Sequence, residues 1–528
     1  MNRISIFTFF LLLTTITQAQ VADVNIKNGP SFDPKGSILE FIGEKDGVIY
    51  YTSWKRKLWL GGINASDLSL TFETEVVTPE FGNKRVSVES IFMVNKKLLA
   101  FCTAYDKATD EKFLIAQKLT ERGSLDGAPI ELDVIQTISK RNSGDFTYDV
   151  NEANGRILIF TNPPFEKYDK EKFHFKVYDE NLKLIWNEKL EMPYPDKYFT
   201  VTDFMVDASD VLYMTCTFNE FEKTKQEEGK KKAKAEAKER GGHRSFKVIS
   251  YNHQKEKLKE YEIELNESQG IESLDYNLDV NGNINVAGLY SLTNDKNDGI
   301  NGVYFIKINS ETGDVMTSSI KAFEKKQTDE DDDEIKKKKK DADAPVAMRE
   351  FEIREFINRD DGGLIISGEY YNEYTRCTTD PRTGSTTCTT YYIYGNITII
   401  NVDAQGNIEW QSNVPKYQRT ANDGGMFSSY ALMVDGSELY YFYNDNAKNY
   451  DAKKKDNRIY GMTSSKKSVT TIAHVDADGN VTKEPDAKLR AEKKMLRPKV
   501  SRYIVNDDKL IVLAKWRKQE SVVEIKVK

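Results

Sequence analysis

Polar and apolar positions in this chain fall into a phrase that recurs eight times: a turn signal, a short apolar or aromatic strand, then a polar loop. The first four copies are Ile49-Tyr-Tyr-Thr-Ser-Trp54, Leu98-Leu-Ala-Phe-Cys-Thr103, Ile157-Leu-Ile-Phe-Thr161 and Leu212-Tyr-Met-Thr-Cys-Thr217. The others are Ile284-Asn-Val-Ala-Gly288, Leu364-Ile-Ile-Ser-Gly368, Leu439-Tyr-Tyr-Phe-Tyr443 and Leu510-Ile-Val-Leu-Ala514. Runs this short, bounded by turn residues and rich in β-branched and aromatic side chains, predict strands buried on both faces. A strand-built repeat at a spacing of about 50 to 80 residues predicts radial repetition, an all-β chain folded as a β-propeller.

Each repeat divides into four strands, a to d. In the third, strand a is predicted over Phe146–Val150, b over Ile157–Thr161, c over Phe173–Tyr178 and d over Leu182–Leu190. The a–b turns carry hairpin chemistry, as in Lys45-Asp46-Gly47, Asn281-Gly282, Asp360-Asp-Gly-Gly363, Asp435-Gly436 and Asn506-Asp507-Asp508. The c–d turns follow a second pattern: Asp179-Glu-Asn181, Asn309-Ser-Glu-Thr-Gly313, Asp403-Ala-Gln-Gly-Asn407 and Asp476-Ala-Asp-Gly-Asn480. The last repeat stops after Val500–Val505, Leu510–Trp516 and Ser521–Val527, and Val21–Ile26 near the start has no repeat of its own. The simplest expectation is that this N-terminal segment supplies the missing fourth strand and closes a ring of eight blades, removing an exposed edge. Seven blades is the alternative if the first unit is misread.

Residues 1–19 read as a secretory leader, with Arg3, an apolar run over Ile4–Ile16 and the small-residue cut site Thr17-Gln18-Ala19. No later apolar run approaches the ~18 residues of a transmembrane helix. The expectation is therefore a soluble exported chain over 20–528, in the periplasm or at the cell surface. Loss of Arg3 takes the net charge from −7 to −8, a mild value that argues against a general nucleic-acid binder. Lys223–Gly242 and Glu324–Ala344 mix blocks of opposite charge and lack apolar residues to bury. They read as solvated insertions (223–242 and 324–344), with a docking tail for a charged partner as the alternative.

Cys377 and Cys388 flank a segment with Asp380-Pro381 and Gly384, which turns the chain back on itself. In an oxidising compartment a disulfide is expected here, against the alternative of two free thiols. Cys102 and Cys216 occupy equivalent places in the second and fourth repeats and read as small buried hydrophobes.

The b–c connections are long in most repeats, whereas the a–b and c–d turns are short throughout. In a propeller the b–c and d–a connections emerge on one face, so that face is elaborated, and loops on a rigid scaffold are where binding surfaces form. Candidate binding residues there are Trp54 and Arg56 in the first repeat, Trp516 and Arg517 in the last, Arg497 and Lys499 in a d–a corner, and Asp423. Tyr371 and Tyr374 join them on the hairpin that carries the two cysteines. Aromatic rings supply contact area and guanidinium groups supply oriented donors, the needs of protein or glycan recognition. The blander alternative is that the rings pack between blades and the charges are solvated.

Motifs for catalysis are absent. The four histidines have no zinc-ligand spacing, and there is neither a nucleophile elbow nor a phosphate loop. Asp476-x-Asp478-x-Asn480 matches half of a calcium loop, but Leu489 stands near the place of its Glu and the turn repeat already accounts for it. No metal and no cofactor is implied.

Phe175-Lys-Val-Tyr-Asp-Glu-Asn-Leu-Lys-Leu-Ile-Trp186 followed by Pro193-Tyr-Pro-Asp-Lys197 resembles a family of exported proteins of Gram-negative bacteria that has no assigned function. Asn422-Asp-Gly-Gly-Met-Phe-Ser-Ser-Tyr-Ala431, Asn444-Asp-Asn446 and the Thr-rich hairpin Thr378–Thr390 extend the likeness over most of the mature chain. The resemblance implies a propeller-like secreted protein and carries no activity, cofactor or catalytic residue. The expected function is binding or scaffolding of a protein or cell-envelope glycan, by a monomer or a member of a hetero-complex. Two alternatives stand beside it: a hydrolase or lyase on polysaccharide or peptide with carboxylates in the central funnel, and a structural component of an envelope assembly.

Overall fold

A computed structural model describes residues 24–151, 155–166, 170–220, 243–292, 299–323, 351–359, 361–451, 458–464, 467–486, 489, 491–504 and 507–527. The leader 1–19 and the charged segments 223–242 and 324–344 lie outside the described residues.

Among the described residues the repeated phrase is the second strand of each of eight antiparallel sheets, all of four strands except the fifth and sixth. Those two have five, because the fifth's first strand is split and Gln418–Ala421 also pairs with Thr386–Val402 of the sixth. In the third sheet the strands are Asp145–Asn151, Arg156–Asn162, Lys170–Asp179 and Leu184–Pro195, one to five residues longer at most of their ends than the apolar pattern marks. Ile157, Leu158 and Ile159 are fully buried because a neighbouring sheet covers each face of this strand. Each such side chain contributes about 1.5–3 kcal/mol by leaving water. The fourth strand alternates between exposed and buried positions, as expected of an outer edge. In the fifth sheet the first strand is broken into Gln269–Ile271 and Asp275–Leu278, both paired with Ile284–Leu292.

The turn chemistry reads through directly. Asp179 Oδ1 accepts from the amides of Asn181 at 2.9 Å and Lys183 at 2.8 Å, and Asp403 Oδ1 accepts from Asn407 at 2.7 Å. Asp476 does the same with Asp478 at 3.0 Å and Asn480 at 2.8 Å, so the half calcium motif is a c–d turn. Gly406 closes one of these turns at φ 89°, where a Cβ would stand 2.0 Å from Thr317 of the preceding sheet. Glycine is required there both by conformation and by the close approach.

Sheets are joined by core clusters, each drawn from two sheets adjacent in sequence. A further cluster unites the first and last sheets, with Ile38, Ile49 and Tyr51 against Ile511, Leu513 and Val522. Cys102 and Cys216 are buried in two of these clusters, and burial raises both thiols, Cys102 to about 12. They pack as apolar side chains.

The last sheet contains Met495–Ile504, Lys509–Trp516 and Gln519–Val527. Its fourth strand is Val24–Asn28, paired antiparallel through Val24 with Val527, Ile26 with Ile525 and Asn28 with Val523. Val24–Asn28 thus takes the fourth-strand place expected of Val21–Ile26, of which residues 21–23 lie outside the described residues. Phe32 and Glu520 extend the seam by exchanging backbone hydrogen bonds of 2.8 and 2.9 Å. No helix among the described residues is long and apolar enough to cross a membrane.

Candidate functional site

Antiparallel topology puts the b–c and d–a connections at one end of the strands, and there the first, sixth, seventh and eighth sheets bring together most of the residues singled out above. The first strand of the eighth sheet passes from Arg497, paired with Leu513, directly to Ser501, paired with Val512. Pro498, Lys499 and Val500 are looped out between them, and Pro498 has no N–H to lose from the ladder. The bulge sends its two cations to different partners. Arg497 turns inward, only 6% exposed, with Nη1 2.9 Å from Glu520 Oε1 and Nη2 donating to the Ile38 carbonyl at 3.3 Å. Its ion pair lies within the last sheet and its bond to the Ile38 carbonyl reaches the first, which corrects the expectation that it offers a surface donor. Lys499 Nζ donates to the Tyr394 hydroxyl at 3.1 Å and the Gly424 carbonyl at 2.9 Å. Burial, reinforced by Arg354, holds its ammonium below the usual lysine range.

Beneath this loop lies a charge cluster that composition and spacing did not mark. Lys416 and Glu369 are completely buried, with Nζ and Oε2 2.7 Å apart, and Arg354 Nε reaches Glu369 Oε1 at 2.7 Å. Lys416 Nζ also lies 3.2 Å from Gln418 Oε1, which accepts the Ser429 amide at 2.7 Å, while Gln418 Nε2 donates to the Asn444 carbonyl at 2.8 Å. The Ser429 hydroxyl donates to Glu369. Burial lowers the Lys416 ammonium, and Glu369 opposes that shift. Through these contacts one carboxylate ties the sixth sheet to the connection 415–430 and, through Gln418, to the seventh sheet. The ring of Tyr394 is the shared floor, with Lys499, Lys416 and Arg354 at 5.3, 5.8 and 5.9 Å from its centroid. Gly425, at φ 61°, lets the loop press on that ring, since a Cβ would stand 2.8 Å from it.

Asp423 belongs to the same loop and closes it, accepting from Thr420 Oγ1 at 2.7 Å and the Gly425 amide at 2.9 Å. The hairpin Leu364–Thr379 and Thr386–Val402 continues past the sheet, and Cys377 and Cys388 are disulfide-bonded across it. Tyr371 is half-buried against Tyr394, centroids 4.8 Å apart, and donates to Glu373 at 2.8 Å; burial, then Glu373, raises its phenol to about 12. Tyr374 stacks on Tyr391 at 5.1 Å and accepts from Arg419 Nη2 at 3.0 Å, leaving 36% of its surface open.

The first and eighth sheets end in two similar corners. Each has a Trp followed by a basic tight turn with a left-handed arginine: Trp54 with Arg56 at φ 61°, and Trp516 with Arg517 at φ 57°. Trp54 is 50% exposed and Trp516 is half-buried. At the second corner opens a cleft of about 810 Å³, lined by Asp33, Pro34, Gly36 and Ser37 on one side and Lys515–Glu520 on the other. Ser37 is paired with Trp54, which sets the first corner against the cleft.

A third feature follows the strand edges that face their counterparts in neighbouring sheets. Asp149, Asp203, Asp275 and Glu355 stand on the first strands of the third to sixth sheets. Burial raises all four carboxyls, and at Asp203 the charges of Asp275 and Asp149 add to it. Among the described residues no group of three or more His, Cys, Asp or Glu side chains is placed to hold a metal ion.

The structure thus brings Lys499, Tyr371 and the loop closed by Asp423 to Tyr394, and sets Tyr374 apart on Tyr391. It lines the cleft with Trp516 and Arg517, while Trp54 and Arg56 stand outside its lining. Sequence reading missed Glu369, Lys416, Arg354 and Glu520. One available signal was Glu369 itself, a charge directly following the buried run Leu364–Gly368.

No family model matches the chain, and no curated protein matches it. Among solved structures it is similar to a quinohemoprotein alcohol dehydrogenase from Pseudomonas putida HK5, with 12% identity and a TM-score of 0.44 over 98% of this chain and 78% of that one. It is also similar to the WD40 domain of SCAP from fission yeast, with 10% identity and a TM-score of 0.39 over 96% and 98%. A third is dihydro-heme d1 dehydrogenase NirN, with 9% identity and a TM-score of 0.36 over 86% and 67%. At these scores nothing about this chain is inferred from the three proteins.

Proposed function

We infer that the eight sheets are the blades of a closed propeller, latched where Val24–Asn28 completes the last blade, and that the protein is an exported binding or scaffolding module. Its working surface is the end of the ring bearing the b–c and d–a connections, and its partner is a protein or a glycan of the cell envelope. The observation that carries this reading is the pairing of a rigid base with an open surface. The buried Arg354–Glu369–Lys416 cluster fixes connection 415–430 from below. Above it, Tyr374, Trp54 and the two left-handed arginine corners remain accessible. Surfaces that bind with little ordering cost are built this way. Export, periplasmic or surface placement, and kinship with the exported Gram-negative family belong to the same proposal.

Affinity purification of the mature protein from envelope extracts, with cross-linking and mass spectrometry, tests it. The expected result is a stoichiometric partner cross-linked to the hairpin 371–394, the connection 415–430 or the two Trp corners. Cross-links confined to the a–b and c–d turns would overturn it. A second reading, hydrolysis or lysis of a polysaccharide or peptide, is favoured by the raised carboxyls of Asp149, Asp203, Asp275 and Glu355, since a protonated acid beside ionisable neighbours suits general acid catalysis. Asn or Gln replacement of these four, scored against a panel of polysaccharide and peptide substrates, separates the two readings.

A further inference from the structure

We propose that the cleft between the first and last sheets binds an acidic saccharide, one that carries a carboxylate and free hydroxyls on the same ring. The proposal rests on the binding-module reading and narrows its ligand class at this one place. The cleft's volume of about 810 Å³ lies in the range of small-molecule sites. Its chemistry has three parts, each suited to a different part of a uronate ring.

Cations come first. Lys55, Arg56, Arg517 and Lys518 crown the two corners, and none forms an ion pair with a described residue. None has a carboxylate partner among the described residues, although Arg517 lies 5.6 Å from the Trp516 ring centroid, whereas Lys57 pairs with Glu75 and Lys515 lies 3.2 Å from Glu520. Two guanidinium groups held out by left-handed turns are suited to bidentate capture of carboxylates.

An acceptor comes second. Glu520 lines the cleft and is 2% exposed. Its Oε1 is shared by Arg497 and Lys515 at 2.9 and 3.2 Å, whereas Oε2 is buried with no hydrogen-bond partner. A buried carboxylate oxygen without a donor is costly, and a ligand hydroxyl is a donor of the right kind. A sugar ring offers several hydroxyl donors close to its carboxylate, whereas a peptide offers one backbone N–H per residue, so the combination favours an acidic sugar over an acidic peptide.

Aromatic surface comes third. Trp516 lines the cleft, and Trp54, half exposed, is the strand partner of Ser37 at its rim; the apolar face of a sugar ring stacks on an indole.

The test is calorimetric titration of the mature chain with oligomers of galacturonate, mannuronate and glucuronate. Methyl-esterified oligogalacturonate and poly-L-glutamate are the comparison ligands. R56N and R517N are the variants, because Asn tolerates the left-handed backbone at both turns. At least one uronate oligomer is expected to bind, ten-fold or more tighter than either comparison ligand. The double variant R56N/R517N is expected to weaken that binding ten-fold or more with an unchanged unfolding midpoint. Equal binding of the methyl ester or of polyglutamate, binding indifferent to the double variant, or no binding of any uronate oligomer at millimolar concentration each overturns the proposal. In any of those cases, a cross-linked partner on the hairpin 371–394 leaves the binding-module reading standing. Absence of both defeats the two together.

Discussion

Replacing Glu369 by Gln removes the carboxylate that lies against Lys416, whose side chain is completely buried. What remains in contact with the ammonium is Gln418 Oε1 at 3.2 Å and the Tyr394 ring at 5.8 Å, so a buried charge loses its contacting counter-ion. Breaking a buried pair by removing one partner costs about 3–5 kcal/mol. Replacing Lys416 by Met is milder, because Glu369 retains Arg354 at 2.7 Å and the Ser429 hydroxyl; about 2 kcal/mol is expected if that pairing offsets part of the loss. The double variant E369Q/K416M removes both charges and leaves the new side-chain amide able to accept from Ser429. It should be more stable than E369Q alone, with a coupling energy of about 2 kcal/mol or more. Urea unfolding of the four proteins gives the cycle, and amide exchange over 415–430 reports the local effect. If the double variant loses the sum of the single losses, the cluster is not an electrostatic lock and the claim of a fixed base beneath the surface fails.

Three further outcomes follow from the structure. Glu171 is 5% exposed, and burial together with the adjacent Asp196 raises its carboxyl from the ordinary 4.5 to about 9. Between those values the folded chain keeps a proton that the unfolded chain has released, so stability falls as pH rises, by about 1.4 kcal/mol per unit from this group; unfolding midpoints from pH 5 to 9 should fall less steeply in E171Q than in the wild type, and equal slopes would refute the assignment. The C377S/C388S variant opens a bridge of sequence separation 11, worth about 3 kcal/mol in the chain-entropy account; a lower global midpoint together with faster amide exchange over 373–388, all of which is exposed, is expected. Deleting residues up to Asn28 strips the last sheet of its fourth strand and bares the edge of Gln519–Val527, for which a lower thermal midpoint and concentration-dependent association are expected in light scattering.

The strands were legible because they obey a local rule. Ile157–Phe160 and Leu510–Leu513 are continuous apolar runs that only a strand covered on both faces accommodates, and Asp476 or Asp403 closes its turn within five residues. The seat of Val24–Asn28 was legible by subtraction, since the last repeat lacked one strand. The charge cluster was not legible, because Glu369 and Lys416 are 47 residues apart and meet only through the pairing of strands and the path of connection 415–430. Arg497 looked like a surface cation from its Arg-Pro-Lys context. A three-residue bulge, invisible in a pattern of period two, turned it toward Glu520 while leaving Lys499 on the other side.

The cleft is made from segments far apart in the sequence, residues 33–37 of the first sheet's approach and Lys515–Glu520 of the last sheet. It therefore exists only once the first and last sheets have packed together, and binding there reports that this seam has formed. Any ligand it takes bridges the joint that holds the two termini together. By mass action such a ligand stabilises that joint by about 2.7 kcal/mol at a hundred times its dissociation constant. Occupancy would then act as a clasp on that seam, slowing its opening to proteases.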